Sequence, residues 1–319
     1  MARIIKNINI AVKELLAGNV TALPTETVYG LAANALVPDA VLKIFEIKKR
    51  PHFDPLIVHI HDISEITKYA KYIPDDVFKL AEKFSPGPIT YVIRKKNIIH
   101  DLVTAGLNTV AIRIPSHKLF RKVLEKLPFP LAAPSANMFG RISPTDAKEV
   151  YKELKNKINY ILDGGKSKIG IESTVIAFDN NNPVILRPGY ITRDMIENIL
   201  DKEVQYPGKS KNKKNNSPGL MKMHYSPFTP LYIASDDFDF EIAQKYNAGI
   251  LDLSSYKSFN SLASNLFSDL RALDEKKYNF IVTKKTLNSG IGYAVNDRLE
   301  KASYGKITFD KNKLIFHKK

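Results

Sequence analysis

From its start to about Leu200 this chain alternates short apolar runs with amphipathic stretches, and that alternation restricts its fold more than any single residue does. "VTALP", "LIVHI", "ITYVIR", "TVAIRIP", "PLAAPSA", "NYILDGG", "STVIAFD" and "PVILRPG" are rich in β-branched residues and bounded by Pro, Gly, Asn or Asp, which predicts strands. Between them, "DAVLKIFEIKK", "DDVFKLAEKF", "HKLFRKVLEKL" and "TDAKEVYKELKN" carry apolar residues at helical spacing, with an Asp N-cap expected for the first. Strands interleaved with helices predict an α/β protein.

The pattern breaks at "YPGKSKNKKNNSPGLMKMHYSPFTP", Tyr206 to Pro230, which holds two Pro-Gly units and no apolar period and predicts a linker. Its lysine run, Lys209 to Lys214, suits a solvated tether. The later "SPGLMKMHYSP" brings Met, His and Tyr that a spacer does not need, so contact with something is expected there. Beyond it "PLYIAS", "AGILDL" and "NFIVTKK" alternate with helical "FEIAQKY", "LASNLFSDLRALDEKKY" and "YAVNDRLEKAS", a second and smaller α/β unit for which a parallel sheet is suitable. The expected division is therefore 1–205, a linker and lid at 206–230, and 231–319. A length of 319 residues suits two domains.

Composition removes several kinds of chemistry. Zero cysteines exclude disulfides, thiolate catalysis and cysteine-ligated metal sites. No apolar stretch approaches the roughly 20 residues that span a bilayer, and the N-terminal stretch has no signal-peptide pattern, so a cytoplasmic protein with no membrane association is expected. The net charge of +15, of which the first 230 residues carry +12, points to an anionic partner such as nucleotide or RNA. A Lys-, Asn- and Ile-rich coding bias accounts for the charge equally well.

Two motifs mislead. "GGKSKIG" at Gly164 to Gly170 ends like a P-loop, but Tyr160 stands where the first glycine belongs. His59 and His61 fall on one strand face without a third metal ligand at a recognised spacing. The remaining polar residues gather at strand ends. "PTETVYG", "KKRPHFDP", "APSAN", "ESTV" and "ILRPG" supply Thr, Ser, Asn and Arg, and "TVAIRIP" places Arg113 inside an apolar strand. In open α/β sheets ligands bind where such loops converge. A strand-embedded arginine needs an anion, which is either a protein carboxylate or a ligand. These residues predict a cationic, hydroxyl-rich cleft for an anionic small molecule or nucleotide, and they do not define a reaction.

At those same positions the chain resembles the threonylcarbamoyl-AMP synthase family in its long form. The resemblance is carried by "LPTETVYGLAANA", "KKRPHFDPLIVHI", "FSPGPITYV", "TVAIRIPSH", "LAAPSANMFGRISPT", "DGGKSKIGIESTVI", "ILRPG", "SPGLMKMHYSP" and "GIGYAVNDRLEKAS", which span nearly the whole chain in the family's order. It implies a YrdC-like α/β domain with a twisted open sheet and a central cleft. A long linker then leads to a smaller, Rossmann-like α/β domain.

The resemblance also implies a nucleotidyltransferase that joins L-threonine, bicarbonate and ATP into threonylcarbamoyl-AMP, releasing pyrophosphate and water, with Mg²⁺ accompanying ATP. The product then serves a separate tRNA threonylcarbamoyl transferase, and direct tRNA contact is left open. By correspondence Thr27, His59, Arg113, Ala133 and Ser173 line the threonine pocket. Arg50, Asp54, Thr109, Ser135, Ser143, Arg187 and Tyr225 contact ATP. Lys48 and Arg50 are the expected catalytic cations, with no resident metal. The family usually carries Asn where Asp54 stands, and more polar residues where Leu220, Met221 and Met223 stand. Two other readings compete: a noncatalytic RNA-binding protein on the same scaffold, suggested by charge, and a carbamoyl transferase with another acceptor.

Overall fold

A computed structural model describes residues 1–206, 224–310 and 313–319. Most of the expected linker and lid, residues 207–223, lies outside the described residues. Two compact units emerge. One comprises Met1–Phe139 and the described part of Pro144–Leu220; the other joins Gly140–Ser143 to the described part of Met221–Lys319.

The first unit is a mixed ten-stranded sheet: β1 Arg3–Ile5, β2 Thr21–Leu23, β3 Gly30–Asn34, β4 Ile57–His59, β5 Ile89–Arg94, β6 Thr109–Arg113, β7 Leu131–Ala132, β8 Tyr160–Leu162, β9 Thr174–Asp179 and β10 Asn182–Arg187. Their spatial order is β1-β8-β2-β3-β7-β4-β6-β5-β9-β10. One face is closed by helices. Val58, Ile112, Tyr91, Ala132, Ile176 and Ile185 point into a core shared with Ile44 and Phe45 of helix Pro38–Lys48, Leu80 of Asp75–Phe84, Val150 and Leu154 of Ala147–Leu154, and Ile196 of Arg193–Leu200. On the other face a smaller core joins Leu23, Ala32, Leu131 and Leu162 to helices Ile8–Leu16 and Lys118–Glu125.

Local chemistry sets the ends of these elements. The helix expected to start at an Asp39 cap starts at Pro38 instead, with Val37 at the N-cap and Asp39 in the first turn. Proline's fixed φ suits the first helical position, and a first-turn carboxylate favours the helix dipole. Asp146 caps Ala147–Leu154 through the Glu149 N–H at 2.8 Å, while Glu149 reaches back to the Thr145 N–H at 2.6 Å. That is a reciprocal capping arrangement.

The second unit holds a five-stranded sheet: β11 Leu231–Ala234, β12 Ala248–Leu251, β13 Phe280–Thr283, β14 Gly305–Asp310 and β15 Lys313–Lys318, in the order β12-β13-β11-β14-β15. All pairs are parallel except β14 with β15. Helices Phe259–Asp274 and Ile291–Ala302 bury Leu262, Leu266, Phe267, Leu270, Val295 and Leu299.

Candidate active site

Strand register brings together residues that the sequence scatters. Arg187 pairs with Val175, and Val175 with Thr90. The β5–β6 register, extended by one residue, sets Thr90 opposite Arg113, which pairs with His59, which pairs with Leu131. Directly paired residues project to the same face. Arg187, Thr90, Arg113 and His59 therefore form one polar row across five strands, on the face opposite the larger core. The next row is apolar, with Ala177, Val92, Ala111 and Ile57 in register. Ala133 joins it by donating its N–H to the Ile57 carbonyl at 3.0 Å. Thr109 lies one row further, opposite Arg94.

Each polar side chain in the row is buried and held. Arg113 Nη2 meets Glu26 Oε1 at 2.7 Å and its Nε donates to the Gly87 carbonyl at 3.3 Å. Of the two anions the sequence left open for Arg113, a protein carboxylate is in place. Ser173, immediately before β9, has its Oγ 2.8 Å from Thr90 Oγ1 and accepts from Arg187 Nη2 at 3.1 Å. Arg187 also donates to the Ser173 carbonyl through Nε and Nη2. The His59 ring packs on Phe120 with centroids 5.2 Å apart. Burial, then the neighbouring Arg113 charge, pushes the His59 pKa down to about 3, so the imidazole is neutral at physiological pH. His61 is not its strand partner, because β4 ends at His59 and the His61 N–H turns to Glu65.

The loop "PTETVYG" is tied together by its own hydrogen bonds. Thr25 Oγ1 bonds the Val28 carbonyl at 2.6 Å and accepts from the Thr27 and Val28 N–H groups, while Thr27 Oγ1 sits 2.8 Å from Thr25 Oγ1. The P-loop look-alike is its brace. Tyr29 Oη donates to the Gly165 carbonyl and accepts from the Gly164 N–H, and Ser167 Oγ donates to the Thr25 carbonyl. Burial raises the Tyr29 pKa, keeping the phenol protonated for that bond.

A second cluster lies between helix Pro38–Lys48 and β4. Arg50 Nη2 pairs with Asp54 Oδ2 at 2.8 Å, and the same guanidinium donates to the Asp54 and Pro55 carbonyls. Asp54 is thus charge-compensated by Arg50. Lys48, 1 % exposed, donates to the Ser135 and Asn137 carbonyls, each at 2.5 Å. Burial, and then repulsion from Arg50, pushes its pKa down to about 7. Lys48 therefore links the helix end to the "APSAN" loop.

Eleven of the thirteen predicted site residues, Thr27, Lys48, Arg50, Asp54, His59, Thr109, Arg113, Ala133, Ser135, Ser173 and Arg187, lie in the first unit. Ser143 and Tyr225 belong to the second. There Tyr225 has no exposed surface and stacks on Phe267, centroids 5.4 Å apart, with the Arg298 guanidinium 5.4 Å from its ring centre. Sequence reasoning passed over Glu26 and Thr90. Glu26 stands in the quoted "PTETVYG", and the available signal was an arginine inside a strand that requires an anion.

The mixed sheet and its Arg-His-hydroxyl row define an α/β protein of the YrdC-like class. E. coli YciO shares the fold, at 23% identity and a TM-score of 0.52 over 59% of this chain and 96% of that one. The family model described as Telomere recombination, covering the Sua5, YciO and YrdC group, matches residues 13–189, and the model described as Threonylcarbamoyl-AMP synthase, C-terminal domain, matches residues 191–303. The chain belongs to the threonylcarbamoyl-AMP synthase family in its two-domain form. It is 38% identical to the threonylcarbamoyl-AMP synthase of Pyrococcus abyssi over 93% of this chain and 94% of that protein. With the Bacillus subtilis threonylcarbamoyl-AMP synthase the identity is 39%, over 92% of each. The crystal structure of P. abyssi Sua5 complexed with L-threonine superposes with a TM-score of 0.88 at 36% identity, over 95% of this chain and 97% of that one.

Proposed function

We propose that this protein condenses L-threonine, bicarbonate and ATP into threonylcarbamoyl-AMP, pyrophosphate and water. The observation that carries the reading is the buried row of Arg113, His59, Thr90 and Arg187 beside an apolar floor. The relatives' names and the threonine bound to P. abyssi Sua5 support it.

Threonine occupies the polar row. Arg113 binds its carboxylate with the fork of its guanidinium, and Thr27, His59 and Ser173 orient the rest, with Ala133 as a small apolar wall. A neutral His59 offers a hydrogen bond without adding charge. ATP contacts Arg50, Asp54, Thr109, Ser135 and Arg187. Mg²⁺ arrives as part of the MgATP substrate. Among the described residues no three His, Asp or Glu side chains converge as a protein-built cage, and Asp54 is already paired with Arg50.

The chemistry joins anions. The threonine amine captures carbon dioxide formed from bicarbonate, and a carbamate oxygen attacks the α-phosphate. Arg50, Arg187 and Lys48 offset the repulsion between carbamate and triphosphate, and preorganised donors stabilise the charge that develops on phosphorus oxygens. Burial limits hydrolysis of the carbamate and the acyl-adenylate. The product is an activated carbamoyl donor, consumed by a separate transferase that modifies tRNA. Among the described residues no helix is long and apolar enough to cross a membrane. Pyrophosphate release with ATP and bicarbonate should rise when L-threonine is added; no rise would refute the reading.

A further inference from the structure

Glu26, in the loop between β2 and β3 beside the polar row, is a buried acidic residue to which the reaction above gives no task. Its side chain is 8 % exposed, and Arg113 faces one of its oxygens at 2.7 Å. The other oxygen accepts from the Ser116 N–H at 3.2 Å. This leaves lone-pair capacity, because a carboxylate has about four acceptor positions.

Charge balance raises a question about Arg113. Paired with Glu26, it forms a unit with no net charge, and a lone carboxylate brought to that unit would be a buried, uncompensated anion. An α-amino acid is different: it carries a carboxylate and an ammonium on one carbon, and therefore matches a neutral pair whose charges are held side by side. Arg113 retains donors for this purpose, since Nη2 serves Glu26, Nε serves Gly87, and Nη1 makes no hydrogen bond among the described residues.

Resting on the threonine reading, we propose that Glu26 and Arg113 form a zwitterion receptor. Arg113 takes the α-carboxylate, and Glu26 takes the α-ammonium and then its proton. An ammonium N–H bond breaks and the proton passes to a Glu26 oxygen, leaving the nitrogen lone pair free. Glu26 passes that proton to the hydroxyl of bicarbonate, which loses water to become carbon dioxide. The lone pair forms the N–C bond as a carbonyl π pair moves to oxygen, and a second nitrogen proton leaves to water. Threonine and bicarbonate thus give the carbamate, one water and one proton.

Calorimetry on the full-length protein tests the proposal with two ligands: L-threonine, and (R)-3-hydroxybutanoate, which has the same skeleton without the amine. Glu26→Gln preserves size and an acceptor for Arg113. It should weaken threonine binding at least tenfold, yet leave 3-hydroxybutanoate bound as tightly as in the wild type or more tightly, because Arg113 is no longer neutralised. ATP affinity should be unchanged. Glu26→Asp, which retains the charge, should recover part of the threonine affinity. Parallel weakening of both ligands would reduce Glu26 to structural support and overturn the proposal, as would an unchanged threonine affinity. A wild-type protein that binds no threonine would overturn the functional reading itself.

Discussion

In the proposed function Arg113 couples stability to binding. Removing one member of a buried ion pair leaves the other uncompensated, a loss of about 3–5 kcal/mol. Arg113→Ala should therefore lower the thermal midpoint as well as abolish threonine binding, because it leaves Glu26 without its partner. Adding Glu26→Gln to that variant should restore most of the stability and none of the affinity. Thermal melts of the single and double variants check this.

Two buried bases also predict a pH dependence. Both have folded-state pKa values below their unfolded ones, so the unfolded chain binds more protons between the two values and stability rises with pH there. The window runs from about 7 to 10.5 for Lys48 and from about 3 to 6.5 for His59. In urea titrations, any stability advantage of Lys48→Met over the wild type should shrink as pH rises from 7 toward 10. A pH-independent difference would mean that Lys48 keeps its ordinary pKa.

Among elements, the strands with apolar, β-branched sequences were legible, and those that depend on their neighbours were not. "ITYVIR" and "STVIAFD" became β5 and β9, but β3 "GLAAN" has little intrinsic strand preference. It is a strand because β2 and β7 bond it on both sides. The bulge between Ile185 and Arg187 was equally invisible, although it turns Arg187 to the same face as Arg113. The glycine of "ILRPG" has a steric basis. A Cβ at Gly189 would lie 2.4 Å from the Thr174 nitrogen and 2.7 Å from the Ser173 carbonyl carbon. Gly189→Ala should destabilise the protein by about 1–3 kcal/mol through overpacking and raise the threonine KM by displacing Ser173. Steady-state kinetics with a parallel melt would separate the two effects.

Viewed whole, the molecule assigns Tyr225 to a place that the motif "SPGLMKMHYSP" did not indicate. Its backbone adopts φ +66, unusual for a residue other than glycine, and its ring is enclosed by Phe267 and Arg298 of the second unit. Tyr225→Ala should cost about 3–5 kcal/mol, as for other large aromatics removed from a core. Hydrogen exchange should then accelerate in helices Phe259–Asp274 and Ile291–Ala302. Unchanged exchange would show that the ring contributes no packing there.

By itself the sequence determined the alternation of strands and helices, the break near Tyr206, the absence of thiol chemistry, and, through ordered motifs, the family. These follow from local preference and composition, which each segment carries in isolation. Only the tertiary structure decided which polar residues share a face, because strand order and register depend on partners distant in the chain. It placed Thr90 opposite Arg113, ended β4 before His61, and gave Arg113 and Lys48 their partners. An arginine in an apolar strand announces that an anion is required, but pairing between distant segments selects Glu26.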